Sequence, residues 1–150
     1  MEQLFANLNF ADMPVPRDLL SEFVDETLAR VQHAQDCLLA LERSPYNTSA
    51  HAALLRALHT IKGNAGYLGA EEFVFLTHAM EELLIQLQTS RRFLDAEKIN
   101  LLLEGADALQ ALVRILAVKA GLAADGTPVY ALTPLDLERI VDRMHAHHPR

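Results

Sequence analysis

The chain has 150 residues, a formal net charge of −7, and 51% hydrophobic but only 6% aromatic residues. That length supports one core without disulfide or metal staples, and apolar content carried mainly by Leu and Ala favours helices. The acidic balance excludes a reader of nucleic-acid backbone, which needs clustered Lys and Arg to displace counterions.

The N-terminal stretch MEQLFANLNFADMP lacks the basic and then apolar run of a secretory signal. No window reaches the roughly 20 apolar residues of a membrane span, so no direct membrane contact is expected. Pro14 and Pro16 forbid a continuous helix there. Residues 1–16 therefore read as an N-terminal arm with room for a short helical turn. From Arg17, Leu20, Phe23, Val24, Leu28, Val31, Ala34, Leu38 and Leu41 recur at helical spacing, predicting a first helix to about Arg43. Cys37, within it, is the single cysteine; it excludes an internal disulfide and fits a reducing compartment, so a cytoplasmic location is expected.

SPYNTS breaks the pattern and offers Asn47, Thr48 and Ser49 as caps for a second helix. Its seam is Leu54, Leu58, Ile61, Ala65 and Leu68, the spacing of a packed bundle helix. GYLGAEE turns the chain into a third helix from about Glu71, with acidic residues in its first turn to suit the dipole and a seam of Phe73, Leu76, Met80, Leu83 and Leu87. After TSRRFLD, Asp95 caps a fourth helix, and Leu94 and Ile99 are placed as a hydrophobic staple. Its core face is Ile99, Leu102, Ala106, Leu109, Val113 and Leu116, with Gly121 ending it. A turn-rich connection, LAADGTPVYALTP, leads to a shorter helix capped by Thr133, with Pro134 in its first turn and an apolar face of Leu137, Ile140, Val141 and Met144.

Long amphipathic helices joined by short loops predict an all-α antiparallel up-down four-helix bundle over residues 17–120. The remaining 121–150 form a connection and an additional C-terminal helix, which either stabilises the bundle or begins a linker.

Within the second helix, ALHTIKGNAGYLG raises a question, because each glycine inside a helix costs about 1 kcal/mol. If the seam faces inward, His59 lies about 100° from Leu58, at the edge of the buried face. Lys62 and Gly63 share its face, and Gly66 continues the row. A phosphoryl group on an imidazole nitrogen needs volume, nearby positive charge and an open route, and Gly63, Lys62 and Gly66 are placed to supply them. The same spacing also fits an ordinary surface histidine beside glycines that serve close helix packing.

LHTIKGNAGYLG resembles the His-x-x-Lys-Gly-x-x-x-x-Leu-Gly signature of histidine phosphotransfer (HPt) domains, closest to the N-terminal phosphotransfer domain of CheA-type chemotaxis kinases. The likeness extends through FVDETLARVQHAQDCLLALE before it and THAMEELL after it, from about Arg17 to Lys119. The resemblance implies that His59 is the phosphoryl acceptor, that Lys62 and Gly63 are the motif's Lys-Gly pair, and that His78 and Glu81 belong to the site. It implies a carboxylate of Glu81 that accepts a hydrogen bond from Nδ1–H of His59 and holds one tautomer, as in a His–Asp activating pair. Lys62 would then meet the phosphoryl oxygens as a mobile point charge.

By the same resemblance the partners are an ATP-dependent kinase catalytic domain and the receiver domain of a response regulator, in chemotaxis or motility signalling. The carrier binds no cofactor or metal itself; ATP and Mg²⁺ belong to the donor, and Mg²⁺ also to the acceptor. The chain has no nucleotide-binding segment, so it is no enzyme by itself, and it is expected to be monomeric. The competing reading is a docking module of the same fold that is never phosphorylated.

His78 falls on the stripe Val74, His78, Glu81, Ile85, which gives it a face in common with Glu81, and Glu82 reads as solvated surface. His33 and His51 read as lying on solvated helix faces. His145, His147 and His148 read as a polar tail rather than a metal site, and the order His78-x-x-Glu81 is the reverse of the Glu-x-x-His used in di-metal bundles.

Overall fold

A computed structural model describes residues 4–6, 8, 15–89, 95–122 and 131–147, and all regular structure among them is helical. The helices are α1 (Arg17–Arg43), α2 (Thr48–Leu68), α3 (Glu71–Thr89), α4 (Ala96–Lys119) and α5 (Pro134–Ala146). Short links at 44–47 and 69–70 reverse the chain, so successive helices run antiparallel. α1 packs along α2 and α4, α2 along α3, and α5 lies against both α3 and α4.

The predicted seams are buried throughout, apart from Leu28, which is only partly covered. The caps follow local hydrogen-bond chemistry. The Asn47 side chain accepts from Ala50 N at 3.0 Å, and Asp95 accepts from Lys98 N at 2.9 Å and from Lys98 Nζ at 2.7 Å. Those bonds from Lys98 hold the Asp95 carboxyl below the usual carboxylate range. Thr133 and Asp136 form a reciprocal capping box at the start of α5, with Pro134 in its first turn. α4 ends one residue before its cap, Ala120, and Gly121 follows at φ 71°, where Leu122 N donates to Ala117 O at 2.8 Å. Leu94, the expected partner of Ile99 in a staple, lies outside the described residues.

Two packing features escape the periodicity. Leu4 and Phe5, in the expected arm, are core residues. The Phe5 ring stacks on Phe73 at 5.8 Å, and Phe23 meets the same ring edge-on at 5.3 Å. Phe5 N donates to the Glu72 carboxylate, and Leu4 O accepts from Lys119 Nζ at 2.6 Å. These bonds hold Phe5 at φ 63°, a left-handed conformation costing about 1 kcal/mol or more for a residue with a side chain. The second is Gly105 in α4, where an added Cβ would stand 2.8 Å from Met144 Cε and 3.0 Å from Met80 Sδ. The absence of a side chain there lets α3, α4 and α5 close on one another.

Candidate functional site

The site is made by the outer face of α2 and the adjoining edge of α3. Because Leu54, Leu58, Ile61 and Ala65 are fully buried, the helical repeat leaves His59 outside, with its side chain 73% exposed. On α3, Leu76, Met80 and Leu83 face the core and carry Glu81 to its margin, where the side chain is only 8% exposed. Thr77 donates back to Phe73 O at 2.6 Å, so its hydroxyl is satisfied within the helix.

Oε2 of Glu81 lies 3.8 Å from Nδ1 of His59 and 3.2 Å from Nζ of Lys62. The first separation is within ion-pair range but longer than a hydrogen bond. The second is a direct charge-assisted contact, with Lys62 27% exposed. Burying a carboxylate is costly without a compensating cation, and Lys62 is that cation. Oε1 of Glu81 is buried with no hydrogen-bond partner among the described residues.

Around the imidazole the glycines leave space. A Cβ on Gly63 would meet nothing within 4 Å, and one on Gly66 only Val74 Cγ2 at 3.9 Å. Gly63 therefore serves no close packing among the described residues. Gly69 has a separate duty at φ 77°, where it ends α2 and Ala70 N bonds to Ala65 O at 2.8 Å.

His59, Lys62 and Glu81 are thus joined, with Gly63 and Gly66 open on the same face, while His78 points elsewhere. Its Nε2 pairs with Glu82 Oε1 at 2.9 Å, one turn along α3, and no hydrogen bond or ion pair among the described residues joins it to His59 or Glu81. Glu82 is consequently a partnered residue, 38% exposed, rather than bare surface. The i,i+4 spacing is the legible signal for that pair. His51 also departs from expectation. It is half-buried, and desolvation pushes its pKa below the ordinary imidazole value. It lines an apolar groove of about 660 Å³ between α2 and α3, with Leu55, Ile85 and Tyr46, that ends at His59 and Glu81.

His147, just beyond α5, pairs with Glu97 in the first turn of α4 at 3.4 Å, and His148 lies outside the described residues. Among the described residues no group of three or more His, Cys, Asp and Glu could hold a metal ion, and no helix is long and apolar enough to cross a membrane.

The sequence matches the Hpt domain family over residues 18–113, from the start of α1 into α4, and the chain belongs to that family. It is 34% identical over 94 residues to the chemotaxis protein CheA of Halobacterium salinarum, covering 63% of this chain and 14% of that protein. To CheA of Treponema pallidum it is 30% identical over 114 residues, covering 76% and 14%. The chain thus spans only a small part of these relatives' length.

Among solved structures, the CheA phosphotransferase domain from Thermotoga maritima is 31% identical with a TM-score of 0.64, covering 67% of this chain and 96% of that one. The phosphorylated P1 domain of CheA3 in complex with CheY6 from R. sphaeroides has a TM-score of 0.71 at 24% identity, covering 87% and 95%, a likeness of fold.

Proposed function

We propose that the chain is the phosphocarrier of a chemotaxis-type two-component relay, with His59 taking a phosphoryl group from the ATP-dependent catalytic domain of a CheA-type kinase and passing it to an aspartate of a response regulator. The observation that carries this reading is an exposed imidazole with a buried carboxylate 3.8 Å behind Nδ1 and a glycine beside it that no packing requires. A docking module has no need of that set.

In the forward step Nε2 of His59 attacks the γ-phosphorus in line, the N–P bond forms as the bond to the ADP oxygen breaks, and ADP leaves. Nδ1 keeps its proton and faces Glu81 Oε2, whose negative charge stabilises the ring as it gives up electron density. In the second step the N–P bond breaks as an aspartate oxygen of the receiver takes the group. Lys62 has two anions within its compass, Glu81 and the arriving phosphoryl oxygens, and its flexible stem serves both. Mg²⁺ and ATP are brought by the partners. The carrier acts in the cytoplasm, as a monomer, and turns over nothing alone.

The test is incubation with a CheA-type catalytic core and ATP, followed by a chase with a receiver domain. Acid-labile, base-stable label on this chain that moves to the receiver is the expected outcome. No label, or label that the receiver cannot remove, contradicts the reading.

A further inference from the structure

On the other side of α2 from the apolar groove lies a second depression of about 480 Å³, between α2 and α1, whose character is different. Glu26, Arg30 and His33 line it from α1, and Arg56 and Thr60 from α2. Nε of Arg30 is buried without a hydrogen-bond partner, and neither Arg30 nor Arg56 has an ion pair among the described residues. In a chain of net charge −7, acidic partners are plentiful, yet these two guanidinium groups line one hollow with Glu26 as its single carboxylate and without an ion pair among the described residues.

We infer that this α1/α2 hollow is an oxyanion-binding subsite, built on Arg30 and Arg56, that takes a carboxylate side chain of the protein that docks over His59. The guanidinium fork is matched to a carboxylate. His33 forms a wall rather than an anchor, because its Nε2 is turned to Cys37 Sγ at 3.8 Å. Thr60 is also spoken for, its hydroxyl donating to Arg56 O at 2.9 Å.

Two features favour a protein carboxylate over a free phosphate. Glu26, which lines the same hollow, repels a multiply charged small anion more than a single carboxylate. Arg56 also precedes His59 by three residues and shares its exposed side of α2, so a partner covering the imidazole covers Arg56 as well. The phosphocarrier reading enters only in naming the occupant; the subsite itself stands on the two arginines.

The test is a titration of the ¹⁵N-labelled chain at low salt with an N-acetylated tetraglutamate amide, a tetraglutamine amide and inorganic phosphate. Saturable shifts of the Arg30 Nε–H and of the Ala53, Ala57 and Thr60 amides with the glutamate peptide are expected. Binding should weaken at least tenfold in Arg30→Gln/Arg56→Gln, whose fold is checked by circular dichroism. Equal response to the glutamine peptide, equal affinity in the double variant, or no saturable shift overturns the subsite. Phosphate binding as tightly as the glutamate peptide overturns the protein source. None of these outcomes depends on labelling of His59, so failure of the phosphocarrier reading is seen separately.

Discussion

Oε2 of Glu81 lies 3.8 Å from Nδ1 of His59, and the two side chains differ sharply in exposure, 8% against 73%. The carboxylate is anchored by the core and by Lys62, whereas the ring is free to meet a visitor. That asymmetry places the fixed charge behind the reactive group and the approach in front of it. Removing the charge tests its part. Glu81→Ala should leave the helical content intact and slow phosphorylation of His59 about tenfold, equivalent to about 1.4 kcal/mol in the barrier. Initial labelling rates decide the matter, and an unchanged rate removes the orienting role.

Gly63 and Gly105 should respond in opposite ways to the same change. At Gly63 a methyl group meets nothing, so Gly63→Ala gains helix propensity of about 0.8–1 kcal/mol. Its melting temperature should rise by about 2–4 °C. At Gly105 the methyl runs into the Met144 and Met80 side chains, both fully buried. Overpacking costs about 1–3 kcal/mol, which outweighs the propensity gain. Thermal melts of the two variants check the signs. Gly63→Leu, also unhindered within the chain, should slow phosphotransfer at least tenfold without lowering the melting temperature; normal transfer would mean that the glycine clears no route.

His51 supplies a pH dependence. Its pKa in the folded chain is pushed below the ordinary value of about 6.5 by burial in the α2/α3 groove. As pH falls through 6.5 the unfolded chain takes up this proton before the folded chain does, so stability declines toward the folded pKa. Urea midpoints at pH 7.5 and pH 5.5 should therefore differ less in His51→Gln than in the unaltered chain. An identical pH response in both would show that this imidazole titrates normally.

Much of the fold is legible in the amino-acid sequence because its determinants are local. The seams of α2 through α5 obey a helical repeat, and Asn47, Asp95 and Thr133 cap by bonds to residues three positions away. Determinants that join distant segments were not readable in this way. Nothing in MEQLFANLNF announces that Phe5 stacks on Phe73, because that contact spans the whole of α1 and α2 and their loops. Glu81 stands one position from the seam residue Met80, where a carboxylate ordinarily reads as surface, and only the family likeness singled it out. Its pairing with Lys62 needs the rotation of α2 against α3, which no single helix encodes. The partner of His78 was not legible for the converse reason, since a shared stripe with Glu81 does not decide which neighbour the ring selects, and it pairs with Glu82 one turn along.

The most direct measurement is labelling of His59→Gln beside the unaltered chain, with a CheA-type catalytic core and ATP. Acid-labile, base-stable label is expected on the unaltered chain and none on the variant, with equal helical content in both. Label of the same amount and lability on His59→Gln would contradict the assignment of His59, because the phosphoryl group would then be carried by another residue.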